Sequence, residues 1–159
     1  MAEEINGVLD SMDALRRSII QLIQGLDEND LNWNPLPGEL NSLYSLASHL
    51  CVGEQGIIHG RVGGLESERL IGREQLDGSL KDKGANPQPL IDMIEAVGLK
   101  TREILGQLTD DKIGDPIEDG TNRPRSARWW IHLNIRHMSS HLGHMEIMKQ
   151  FHETGIVRK

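Results

Sequence analysis

Apolar residues recur every three or four positions in four stretches of the chain, the spacing of one face of an α-helix. The first covers about residues 2–26, with Ile5, Val8, Met12, Leu15, Ile19, Leu22 and Leu26 in phase. A second follows Asn41, a residue suited to capping a helix N-terminus, and runs to about His59 with Leu43, Leu46, Leu50 and Ile57 facing inward. A third spans about residues 89–108, with Leu90, Ile94, Val97, Thr101, Ile104 and Leu108 on one stripe. Pro89 fits its first turn, where a missing N–H costs nothing. The fourth begins near Ser126 or Ala127 and continues to about Phe151.

The connections differ in kind. Residues 27–31 read as a turn or a single helical turn. Residues 33–38 are irregular, because Pro35 and Pro37 each disfavour the α conformation in the residue before them. Residues 60–88 form a long link containing Gly63, Gly64, Gly72, Gly78, Gly84 and Pro87. Links of that length are usually functional or mobile, and in a four-helix bundle they let consecutive helices run parallel. The expected architecture is therefore all-α: one domain over residues 1–159, a four-helix bundle with a long crossover between helices two and three.

Composition narrows the partners. The 159 residues carry a formal net charge of −7 without a basic block, which argues against nucleic acid and anionic membranes. Three tryptophans, one tyrosine and one phenylalanine leave packing to aliphatic and Met side chains, as suits helices better than a sandwich. The single cysteine, Cys51, rules out an intramolecular disulfide and fits a reducing compartment. No apolar run approaches the roughly 20 residues that span a bilayer, and the opening residues lack the basic start and apolar core of a signal peptide. A cytoplasmic protein is expected.

The fourth helix carries the chemistry. With about 100° per residue and His137 at zero, His141 falls near 40°, His144 near −20°, Asn134 near 60°, and Trp130 and Met148 near 20°. Arg128, Arg136, Glu146 and Gln150 fall on the opposite side. The histidine stripe thus lies on the apolar arc, where imidazoles lose hydration and need partners for both ring nitrogens. Histidines at i and i+4 can converge on one ion, and a metal occupies their lone pairs.

On the second helix, Ser42, Ser45, Gly53 and Gly56 lie within about 40° of His49, and such small neighbours leave clearance. Placing His49 opposite His137 and His141 gives three nitrogen donors with coordination positions open, the arrangement that separates catalytic from closed structural sites. Singly, each histidine reads as a satisfied core or boundary residue; the shared stripe favours a divalent metal. His144 is a ligand, an outer partner or an acid/base, with the outer partner preferred. His59, His132 and His152 are expected on the surface. Cys51 lies about 200° from His49 and Glu54 about 140°, so neither should join the site. Cys51 reads as a small buried hydrophobe, and Trp129 and Trp130 as core or interface packing in preference to a substrate platform. Arg69, Arg73 and Glu74 read as surface charges of the long link, or as groups over a bundle end that gate a pocket.

At these residues the chain resembles a known family. Asn41 to His49 followed by Gly53 and Glu54, and His137, His141 and His144 in an HxxxHxGH pattern, look like the second-helix and last-helix motifs of the DinB-like (YfiT-like) superfamily. Trp33, Asn34 and Pro35, and the run from Arg73 to Leu76, are similar to weaker parts of that pattern. The resemblance extends over nearly the whole chain. It implies a four-helix bundle with a central crossover, often homodimeric, and a nickel or zinc ion held by His49, His137 and His141. Some relatives, similar to thiol-dependent isomerases, have Glu at the position of His137, so the all-histidine set argues against carrying that activity over. The family implies a metal-dependent hydrolase or thiol S-transferase acting on a small molecule. The alternatives are a non-catalytic metal-binding module and a plain dimerisation domain.

Overall fold

A computed structural model describes residues 3–36, 38, 40–118 and 123–155. Four long helical segments form the body: α1 (Glu3–Ile23), α3 (Leu43–Glu54) with its π-helical continuation Gln55–Val62, α6 (Gln88–Leu105) and α7 (Ala127–Thr154). Short helices fill the links: α2 (Glu28–Asn32), α4 (Glu66–Arg69) and α5 (Arg73–Ser79). A two-residue antiparallel pair, β1 (Pro116–Ile117) with β2 (Arg125–Ser126), ties down the entry to α7, with Pro116 opposite Ser126.

Local chemistry sets the boundaries. Asp27 caps α2 by accepting from the Asp30 N–H, and Ser126 caps α7 by accepting from that of Trp129. The cap of α3 is Ser42 rather than Asn41: its Oγ lies 3.2 Å from the Ser45 N. Gly155 closes α7 in the left-handed conformation, φ +67°.

Contacts along the helices fix their directions. Glu4 pairs with Arg128 near the starts of α1 and α7, and Leu26 and Lys149 share a hollow beyond the other end, so these two run parallel. On α6, Arg102 pairs with Asp13 and Gly98 lies against Arg16, which makes α6 antiparallel to α1. Arg61 lies over Trp130 while His49 meets His141, so α3 opposes α7. Hence α3 and α6 share a direction, and the link between them is the crossover that its length foretold. Ile5, Leu9, Met12, Ile19 and Ile23 of α1 are fully buried against Ile58, Leu90, Leu105, Ile131, Met138 and Met145. Among the described residues no helix is long and apolar enough to cross a membrane.

The π stretch departs from the sequence reading. The Gly63 N–H bonds to the Ile58 carbonyl at 2.8 Å, five residues back rather than four. The wider winding changes the phase, so Ile58 fills the core while Ile57 is only partly covered. It also overturns the surface expectation for His59, which is 3% exposed, with Nε2 3.2 Å from the Val97 carbonyl and 3.1 Å from Thr101 Oγ1. Burial lowers its pKa from the ordinary histidine value. Gly60 permits this geometry, since a Cβ there would sit 2.7 Å from backbone atoms of Glu68 and Arg69. His132 is exposed as expected. His152 is half-buried, edge-on to Trp33 at 4.9 Å and 3.3 Å from Asp30 Oδ1.

Candidate metal centre

His49 comes from the middle of α3, and His137 and His141 from successive turns of α7, so the antiparallel pairing of the two helices brings the three together. Their rings meet edge to face with centroids 4.7–5.0 Å apart. One ring nitrogen from each lies within 4.8 Å of the others. His49 Nε2 and His137 Nε2 are 3.0 Å apart. Nitrogens around a tetrahedral ion with bonds near 2.1 Å would be about 3.4 Å apart, inside that range.

The protonation pattern follows from what surrounds each ring. His49 is buried, and its Nδ1 is 2.8 Å from the Leu76 carbonyl on α5, an acceptor only. The proton must therefore sit on Nδ1 in the neutral ring, leaving the Nε2 lone pair facing His137. Ser79 Oγ, 3.3 Å from the same nitrogen, donates to the Leu76 carbonyl at 2.6 Å, so its lone pairs face the ring. Such an outer contact orients a metal-ligating histidine.

His137 and His141 are less well supplied. The Nδ1 atoms of both are buried without a hydrogen-bond partner, a costly condition for imidazole nitrogens. Burial, reinforced by His141 and His49, pushes the pKa of His137 down to about 4. Burial, with His49 and His144 beside it, pushes His141 down to about 4 as well. Both rings are neutral at ordinary pH, the state a metal requires. Orphaned nitrogens, neutral rings and an all-imidazole donor set fit a zinc- or nickel-type ion.

Gly53 explains part of the small-residue strip on α3. A Cβ there would stand 2.6 Å from His137 Cε1 and 3.0 Å from its Nδ1. The clearance inferred around His49 is thus used, at this position, by the ring of His137. Gly56 serves differently, lying against Ile71 of the crossover.

His144 stands apart from the three. It is exposed, its ring centroid 5.4 Å from that of His141, and it opens on a separate apolar hollow of about 200 Å³ with Leu46, Ile147 and Phe151. Cys51 is buried, its thiol pushed up to about 12 mainly by that burial, so it is an inert core group. Glu54 turns away from the histidines to a buried ion pair with Arg16 and accepts from Thr101 Oγ1. On the stripe itself, Asn134 is fully buried and directs Nδ2 to Met138 Sδ at 3.5 Å.

A half-open hollow of about 520 Å³ adjoins His49, walled by Ile57, Ile71 and Leu76 and carrying Arg61, Arg73 and Trp130. Arg73 is exposed and pairs with Asp77, and Arg69 Nη2 donates to the Glu118 carbonyl at 2.6 Å. Glu74 is exposed. Trp129 is exposed and edge-on to half-buried Trp130. The support from Leu76 had no side-chain signature, since a backbone carbonyl does the work. Arg61 gave no signal either, because its position depends on the π winding.

The family model described as the DinB superfamily matches residues 11–145, which include His49, His137, His141 and His144. A crystal structure described as a conserved protein of Enterococcus faecalis superposes with a TM-score of 0.76 at 15% sequence identity. The alignment covers 94% of this chain and 97% of that one, and at this identity it shows a shared fold. No curated protein matches the sequence.

Proposed function

The chain belongs to the DinB superfamily, and from that premise we propose a divalent-metal-dependent protein whose His49, His137 and His141 hold nickel or zinc. Its reaction is hydrolysis or thiol S-transfer on a small molecule. The observation that carries this reading is the convergence of three ring nitrogens within 4.8 Å, with the His49 ring oriented through its Nδ1 by Leu76 and the Nδ1 atoms of the other two rings unpartnered. A bound ion would lower the pKa of a water or thiol beside it and so supply a nucleophile.

The chain's own residues do the rest. His49 keeps a fixed tautomer, Gly53 leaves room for the His137 ring, and the apolar walls of the adjoining hollow exclude water from a bound molecule. His144, next to His141 and open to solvent, is an outer partner or proton carrier in this scheme. A homodimer and a cytoplasmic setting complete the proposal.

Metal analysis of untagged protein prepared without chelators tests it. Close to one equivalent of zinc or nickel is expected, and His141→Ala should abolish it. Thiol-transfer and ester or amide hydrolysis panels on loaded protein then separate the two reactions. Substoichiometric metal, or metal content indifferent to His141→Ala, would overturn the reading. Full loading without turnover would leave a non-catalytic metal-binding module instead.

A further inference from the structure

The hollow beside His49 contains one cation with nothing to do. Of its charged side chains, Arg73 is matched with Asp77, Nε to Oδ2 at 3.2 Å. Arg61 has no hydrogen-bond or ion-pair partner among the described residues, although it is half-buried. Its guanidinium carbon instead lies 5.6 Å from the centroid of the Trp130 ring. An aromatic face holds a guanidinium by its quadrupole and accepts none of the in-plane N–H bonds, so the fork of donors stays available.

The context makes this informative. The chain has 24 acidic against 17 basic residues, so a partner for Arg61 would be easy to supply on a surface this acidic. A half-buried guanidinium left unpaired in a concave, largely apolar site is the usual form of an orienting group for an anionic ligand. Ile57, Ile71 and Leu76 offer that ligand's body an apolar wall.

We propose that Arg61 is a specificity-determining residue of this hollow and that the substrates are small molecules joining a carboxylate to an apolar body. This rests on the proposed function, since it takes the hollow beside His49 as the substrate site. The carboxylate is favoured over a phosphate on charge. A phosphate monoester carries nearly two negative charges at neutral pH, whereas Arg61 alone is uncommitted and its fork matches one planar carboxylate.

Trp130 reports on the site, so quenching of tryptophan fluorescence by 3-phenylpropionate is the measurement, with 3-phenylpropionamide as its neutral counterpart. Chelator-treated protein is used, which separates carboxylate recognition from metal coordination. The acid should bind at least about tenfold more tightly than the amide, as expected of a charge-assisted hydrogen bond. Arg61→Gln should remove that preference, and Arg61→Lys should keep part of it. Equal binding of acid and amide, binding of neither, or an undiminished preference in Arg61→Gln would overturn the proposal. Displacement of the acid by equimolar inorganic phosphate would overturn the carboxylate assignment. In the unsubstituted protein, metal binding without an acid preference counts against Arg61 alone, and an acid preference without metal binding counts against the metal reading alone.

Discussion

The carbonyl of Leu76 receives the Nδ1 proton of His49 at 2.8 Å, so a residue of the crossover sets which nitrogen of an α3 side chain faces His137 and His141. The crossover is therefore part of the site as well as a connector. Ser79 adds a weaker contact at 3.3 Å. Ser79→Ala should reduce zinc affinity, but by less than about tenfold, because losing an outer partner entirely costs about 10–100-fold and the Leu76 carbonyl remains. His49→Ala should abolish binding. Competition titration with a chromophoric chelator measures both.

Gly53→Ala separates site from fold. The added methyl meets the end of a flexible side chain, His137, which can swing aside. Thermal stability without metal should change little, while zinc affinity should fall at least about tenfold as the ring leaves its position. Paired melting curves with and without zinc distinguish this from general destabilisation.

Acid should destabilise the metal-free protein through its buried histidines. The unfolded chain takes up protons near the ordinary histidine pKa of about 6.5. In the native state His137 and His141 do so only near about 4, because burial disfavours their charged forms. Between those values the unfolded state binds more protons, so stability declines as pH falls. His59, also lowered, acts in the same direction. Melting temperatures of chelator-treated protein should drop between pH 7 and pH 4. A flat profile would contradict these native pKa values.

Glu54→Ala tests the buried ion pair behind α3. It strands Arg16, 6% exposed, with only Asp13 as a charged partner. Breaking a buried pair from one side typically costs about 3–5 kcal/mol, and the retained Asp13 should keep the loss near about 2–3 kcal/mol. Urea denaturation measures it. Zinc stoichiometry should be unaffected, since Glu54 faces away from the histidines.

Periodicity located the long helices because their apolar faces repeat at the helical spacing; the stripe of Ile5, Val8, Met12 and Ile19 is buried as that repeat requires. The same arithmetic placed His137 and His141 together and sent Cys51 and Glu54 elsewhere. It failed where helical winding changes. His59 seemed to end a helix, yet the π turn carries it into the core against Val97 and Thr101. Arg16 could not be foreseen as buried, because its partner Glu54 lies 38 residues away and the charge pattern of α1 alone shows no gap for it. The short helices of the crossover lie within a glycine-rich link whose order comes from tertiary contacts, such as Gly60 against Glu68 and Arg69.

The i to i+5 winding between Gln55 and Val62 amounts to surplus chain that the helix absorbs without breaking. It works as a phase shifter between the ligand-bearing half of α3 and everything downstream. Wound as ordinary α-helix with the same residues, the segment would turn the following side chains by about 100° relative to His49. His59 would leave the core and Arg61 would leave Trp130, although His49, His137 and His141 could still meet. The winding of this segment therefore decides what is presented beside the three histidines, while a one-residue deletion that restores ordinary winding would leave the downstream side chains nearly in place.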